Sequence, residues 1–384
     1  MVKRKLLVIL LLVSASCLIS FGTFNLVVRQ VNSNQNKKDS VIVKVHTDTL
    51  QTLINEYCSA KSVRQSLENK IRDKNAQIVE SKDLIQDLES RQKKYEQKKY
   101  DSLVVIIKAS ISSIKKQNNY LQKDIESLEA EALKSTPPLE SSLKKVKDFT
   151  SKARGSLHFN FCNIRYDLFV ADLDSDEIRM HLFKKEKQNF YSLGAVHEYL
   201  KGKKIDPLMI TNAGMYTPTN EPEGLYLEED TTIQYELDTT KRNTDENFYL
   251  SPNGVFFIDS CNVPYIETTE DFLKIFGGKK IKAKIATQSG PMLLINGKMH
   301  DKFLPNSHNE KIRSGVGKIS DNKIVFAITL DPSNFYDFAS SFRDIFNCKD
   351  ALFLDGAISL MYLKDVNPHV TGGNFGPMIS VSRK

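Results

Sequence analysis

The stretch "ALFLDGAIS", residues 351–359, carries an apolar run into Asp355 and breaks at once on Gly356. A run of that kind reads as a buried strand, and an ionised carboxylate at its end must be paired, hydrated or used. Runs of similar texture lie on either side of it: "YDLFVADL", "IRMHLF", "GVFFI", "PMLLI" and "KIVFAITL" alternate with turns, while "NFYDFASSFRDIF" has the spacing of an amphipathic helix. The pattern predicts one α+β domain over residues 156–384, a mixed β-sheet with packed helices.

Seven polar, mostly glycine-containing stretches flank these runs: "MITNAGMYTP", "YLSPNGVFFI", "ATQSGPMLLINGK", "IRSGVGK", "DPSNFYDFA", "LFLDGAIS" and "GGNFGPMISV". Glycine beside a polar side chain at a strand end lets backbone approach a ligand closely. Together these stretches carry Asn212, Asn253, Gln288, Ser289, Gly290, Arg313, Asn334 and Asp355, a set suited to a sugar- or phosphate-binding pocket. Other motifs fail on single residues. "SGVGKIS" resembles the tail of a phosphate loop but has Ile312 for its first glycine and Ile319 for its Ser or Thr. "DLDSDE" (172–177) has Glu177 where a calcium loop turns on glycine, and reads as a hairpin turn between two strands. No G-x-S-x-G elbow is present, and no Cys/His cluster or ligand spacing calls for a metal or cofactor.

The preceding half has a different character. Residues 1–155 hold 28 Lys and Arg against 17 Asp and Glu, and the remainder 26 against 30. The folded part therefore lacks the basic excess that gripping nucleic acid requires. Lys3, Arg4 and Lys5 precede an uncharged, mostly apolar stretch over 6–28, long enough to span a hydrocarbon core of roughly 30 Å, so residues 1–30 read as an uncleaved membrane anchor. Basic residues ahead of it place the rest of the chain outside the cytoplasm, periplasmic or at the cell surface. Residues 45–135 read as a coiled coil, with Ile71, Ile78 and Ile85 in one heptad series and Ile107, Ile114, Leu121 and Leu128 in a second. The two series are one residue out of phase near "QKKYEQKKYDS", which fits either a stutter or the turn of an antiparallel hairpin. Such a seam implies homo-oligomerisation or internal pairing. Pro137 and Pro138 should end the helix and open a linker over 136–155. Five cysteines do not form a disulfide scaffold, and export would permit one bridge among Cys162, Cys261 and Cys348.

"NAGMY", "QSGPMLLINGK", "RSGVG" and "LFLDGAIS" are similar, in the same order, to the strand-end motifs of the phosphodiester glycosidase family. "NFYDFA" and "NAGMYTPTNEPEGLY" bring the resemblance nearest to its bacterial branch. It covers about residues 157–384. Many members follow the aspartate with a run of glycines and then Ser, whereas here Ala357 and Ile358 stand before Ser359. The resemblance implies cleavage of a sugar from an anomeric phosphodiester. That reaction expels a phosphate monoester with a second pKa of about 6, so the leaving group needs charge stabilisation more than protonation.

Arg313 suits that task through its planar fork, and Asp355 suits the oxocarbenium-like transition state as nucleophile or base. Glu223 is the candidate second carboxylate. Asn212, Gln288 and Asn334 offer amides to sugar hydroxyls, while Ser289 and Ser359 offer hydroxyls to phosphate. The structural alternatives are a turn-capping Asp355, an Arg313 held in a salt bridge, a surface Glu223 and solvated His300 and His308. The expectation is a membrane-tethered exported glycosidase acting on a phosphate-linked glycan of the cell envelope. Two alternatives remain: another envelope-polysaccharide hydrolase or transferase, and a non-catalytic glycan-binding protein.

Overall fold

The computed structural model describes residues 2–184, 188–228, 234–240, 246–276, 283–356 and 358–384, with side chains from residue 47 onward. The apolar stretch 6–28 behind the anchor expectation lies outside the residues whose side chains are described. Among the described residues no helix is long and apolar enough to cross a membrane.

Two long helices, α1 (Val2–Gln97) and α2 (Asp101–Thr150), form an antiparallel hairpin. The ion pairs Lys145–Glu56, Lys74–Asp124 and Lys115–Glu89, at 3.2, 3.1 and 3.1 Å, run in opposite chain directions along the two arms. Buried positions recur three or four residues apart, as at Leu50, Ile54 and Tyr57 on α1 and Val104, Ile107 and Ile111 on α2. This spacing keeps one stripe of each helix facing the other. The phase change between the two heptad series falls at the turn after Gln97, so the series belong to two arms rather than to one stuttering helix.

The prolines do not end α2. The helix runs through Pro137 and Pro138 to Thr150. Proline inside a helix costs about 3 kcal/mol through its missing N–H and ring clash, and packing opposes that cost here. Arg64 of α1 reaches across to the Ala132 carbonyl and, at 3.0 Å, to the Thr136 hydroxyl. Beyond the prolines Leu139 and Leu143 pack against the domain core, and the Thr150 hydroxyl donates to the Ile345 carbonyl at 2.6 Å.

The domain is built on three sheets whose described strand pairings are all antiparallel, where the sequence suggested mixed pairing. The largest has seven strands in the order Gly155–Phe161, Ile164–Asp172, Lys323–Thr329, Ser314–Lys318, Ala351–Asp355, Met292–Ile295, Lys298–Met299. One face packs on a four-stranded sheet containing Pro207–Asn212 and Met378–Arg383, and on a five-stranded sheet containing Gly254–Asp259 and Ala283–Ser289. The other face is covered by α5 (Phe335–Ser340) and the hairpin root. Two further helices, α3 (Leu193–Gly202) and α4 (Thr269–Phe276), cover the smaller sheets.

Burial on both faces explains the unbroken apolar run before Asp355. Leu352 and Leu354 enter the inter-sheet core, whereas Ala351 and Phe353 enter the core under the helices. Each large side chain buried in this way contributes about 1.5–3 kcal/mol. The turn at 172–176 differs from the expected hairpin. Ile164–Asp172 pairs in the seven-stranded sheet and Asp176–His181 in the four-stranded one, so the turn carries the chain between sheets. Among the described residues all cysteines are free; Cys162 and Cys261 are exposed and Cys348 is buried, so no bridge joins those three.

Candidate functional site

Asp355 ends the fifth strand of the large sheet, and a bulge sets its direction. Ser314 pairs with Asp355 and Gly315 with Phe353, leaving Leu354 as an extra residue. Bulges twist a strand and re-aim the side chain that follows. The Leu354 carbonyl accepts the Ser289 hydroxyl at 2.8 Å instead. Asp355 Oδ1 accepts the Gly356 N–H at 2.6 Å. Burial raises the Asp355 carboxyl to about 6, with the Gly356 bond opposing that rise. This is a carboxyl poised near neutrality, as acid–base and nucleophilic chemistry requires.

Directly behind it lies a buried polar network. The Asn212 amide donates to the Ser314 and Ser359 hydroxyls at 3.1 and 3.3 Å, and its Oδ1 accepts the Leu360 N–H at 3.3 Å. Ser359 Oγ lies 3.0 Å from Ser314 Oγ and 2.9 Å from the Gly356 carbonyl. Ser314 Oγ also donates to the Asp355 carbonyl at 3.3 Å. Two chain segments distant in sequence, at Asn212 and Ser314, are thus tied to the loop that presents the carboxylate. Asn212 and Ser359 position Asp355 and have their polar atoms committed there. Ala357 lies outside the described residues, and Ile358 is exposed.

Gln288 is a hub of the same kind. Its Oε1 accepts the Leu225 and Asp238 N–H groups at 3.0 and 2.9 Å, and its Nε2 donates to the Asp238 carbonyl and the Thr269 hydroxyl at 2.7 and 3.1 Å. Every amide hydrogen is used, so none is left for a sugar hydroxyl. Two glycines are required around it. A Cβ on Gly214 would stand 2.4 Å from the Gln288 carbonyl, and one on Gly224, whose φ is +95°, 2.3 Å from Gln288 Oε1. Ser289 is committed to Leu354. Gly290 opens a cis peptide to Pro291 and lies against Asn253.

Arg313 faces the other side of the sheet. Its Nε and Nη2 donate to the Ser333 and Asn309 carbonyls, both at 2.7 Å, and its Cζ lies 3.6 Å from the centre of the Phe335 ring. The edge of the fork that would grip phosphate is therefore taken by backbone. Burial alone lowers the guanidinium to about 10. Among the described residues it forms no salt bridge, unlike the structural alternative the sequence allowed; stacking on an aromatic face compensates part of its desolvation. Asn334 caps α5, accepting the Asp337 N–H at 2.8 Å and donating to its carboxylate at 2.9 Å. The Glu223 N–H donates to the Met215 carbonyl at 2.9 Å, which folds its loop back on the "NAGMY" segment.

Sequence reasoning missed Tyr216. Its phenol is pushed up to about 12 by burial and then by the Asp355 charge, so it lies within reach of that carboxylate's field. The hydroxyl donates to the Asn374 carbonyl at 3.2 Å, and the Asn220 amide donates to the same oxygen at 3.1 Å. The available signal was its place in "NAGMY", just past the glycine turn that follows Asn212. No group of three or more His, Cys, Asp or Glu able to hold a metal occurs among the described residues.

A family model for phosphodiester glycosidases matches residues 207–378. The chain is also 33% identical over 218 residues to YigE, an uncharacterized protein of Escherichia coli strain K12, covering 56% of this chain and 81% of that one. The chain belongs to the phosphodiester glycosidase family. No solved structure matches it. The stretch that matches the phosphodiester glycosidases begins with the strand ending at Asn212 and reaches the strand beginning at Met378. It contains Asp355, Tyr216, Arg313 and the Asn212–Ser314–Ser359 network, and it leaves the helical hairpin outside.

Proposed function

We propose that the protein is a membrane-tethered, exported glycosidase that hydrolyses a sugar-1-phosphodiester in a phosphate-linked envelope glycan, giving free sugar and a phosphomonoester. The observation that carries this reading is the Asp355 carboxyl. It is raised by burial to about 6, and among the described residues it accepts a hydrogen bond from the N–H of the next residue. Above that pH it is ionised where positive charge develops at the anomeric carbon. The departing phosphate needs little protonation. Tyr216, whose neutral phenol feels the Asp355 charge and gives its hydrogen to the Asn374 carbonyl, has an oxygen left to accept a substrate hydroxyl, and Glu223 supplies the second carboxyl of this proposal. Family membership supports a glycosidase-type hydrolase, while the basic and apolar N-terminal sequence supports the tether.

The test is release of free sugar from a synthetic sugar-1-phosphodiester. The parental protein should turn over, and Asp355→Asn, which keeps the shape and removes the charge, should lose several orders of magnitude in kcat while melting no lower than the parent. Glycan binding without turnover would leave a binding protein, and an Asp355→Asn protein at the parental rate would remove Asp355 from the chemistry.

A further inference from the structure

We propose that Cys58 and Cys162 are a disulfide site, closed by exchange with a disulfide-bearing oxidant, that fastens the root of the helical hairpin to the first strand pair of the domain. The two residues come from segments that the sequence assigned to different parts of the molecule, and they meet along a shared line of contacts. The Gln51 side chain exchanges two hydrogen bonds with the Asn160 backbone, at 3.0 and 2.7 Å. Tyr57 stacks on Phe161 with ring centres 6.3 Å apart and planes 12° from parallel. Lys61 Nζ lies 5.5 Å from the centre of the Phe161 ring. One face of α1 thus tracks residues 160 and 161, and the Cys58 thiol, next to Tyr57, is in hydrogen-bond contact with that of Cys162, next to Phe161.

The turn that holds Cys162 gives an independent reason. Phe161 pairs with Ile164, so Cys162 and Asn163 form a two-residue hairpin loop, with φ of +54° and +63°. Two successive positive φ values favour asparagine and glycine, since a Cβ is disfavoured there. A cysteine in the first position sits against that preference, and pairing with Cys58 supplies a role for it.

The reactivity is unequal in the direction exchange requires. Hydrogen bonds from the Cys162 side chain and backbone, aided by Lys61 and opposed by burial and Asp344, hold the Cys58 thiol down to about 7. The same thiol contact, with burial, pushes Cys162 up. Cys58 is therefore the thiolate that attacks first. It bonds to one sulfur of the oxidant's disulfide and expels the other as a thiol. Once Cys58 is uncharged, Cys162 loses a neighbour that held its proton. Its thiolate then attacks the Cys58 sulfur of the mixed disulfide, expelling the second thiol. The protein pair loses two electrons and two protons, and the oxidant gains them as two thiols.

The full-length protein, reduced and then incubated with oxidised glutathione, is alkylated with N-ethylmaleimide and mapped by mass spectrometry. The expected result is a peptide linking Cys58 to Cys162 within one chain, with a dithiothreitol-reversible rise in Tm. Both should be absent from Cys58→Ser and Cys162→Ser, with the reduced parental protein as the folding reference. Stable glutathione adducts at either cysteine without the link, a link to Cys261, or a bond between two chains would overturn the proposal.

Discussion

Burial raises the Asp355 carboxyl to about 6, so between roughly pH 4 and 6 the folded protein holds a proton that the unfolded chain, near 3.9, has released. The stability tied to that proton is complete below about pH 4 and is lost as pH rises through 6. Asp355→Asn escapes the loss. Its Tm relative to the parent should therefore climb from pH 4 to pH 8, by the equivalent of about 2–3 kcal/mol, and a pH-independent difference would show that the carboxyl is not desolvated. Turnover should move the opposite way in the parent, with kcat/KM rising through about pH 6 as Asp355 ionises. Arg313→Lys separates structure from chemistry. Lysine cannot hold the Ser333 and Asn309 carbonyls while stacking on Phe335, so the variant should lose about 2–4 kcal/mol of stability and slow phosphodiester and aryl glycoside substrates alike. A defect confined to phosphodiesters would restore the phosphate-gripping role. That Asp355 ends a doubly buried strand was legible in the sequence from the unbroken apolar run before it. The roles of Gln288, Asn212 and Ser289 were not, since an amide that satisfies backbone and one that binds sugar are the same letters.

Strand and helix identity followed from apolar periodicity, and the runs quoted at the outset are strands here. What periodicity does not carry is register. The Leu354 bulge, which re-aims Asp355, arises from how two strands meet over Ser314 and Gly315. The proline reading failed for a related reason: local propensity opposed the helix, while contacts from Arg64 and the domain core decided it. The loop elements around Gln288 are fixed more tightly than their composition suggests. Gly224→Ala would place a Cβ 2.3 Å from Gln288 Oε1 on a residue with φ of +95°, and should cost about 2–3 kcal/mol in denaturant titration. A variant as stable as the parent would mean that the hub yields. Asn334→Ala, which removes the cap on α5, should cost about 1 kcal/mol and leave substrate preference unchanged.

At the scale of the molecule, hairpin and domain share one core. Leu50, Ile54, Tyr57 and Val146 join Phe159, Phe161, Ile345 and Phe346 in a single buried cluster, and the Tyr57 hydroxyl donates to the buried Asp344 carboxylate at 2.9 Å. A chain beginning at residue 151 would expose that surface, and it should aggregate or melt well below the full-length protein. A soluble, normally melting domain would show the hairpin to be an accessory. Heptad periodicity over 45–135 does not say where the domain attaches: α1 meets the domain around residues 50–61 and continues to the turn near Lys99. From root to turn, α2 rises about 75 Å at ~1.5 Å per residue. The hairpin is therefore a ruler with its zero at the domain: whatever meets Leu103, Val105 and Ile106, exposed near its far end, is held about 70 Å from the root, at a separation fixed by counting helical turns.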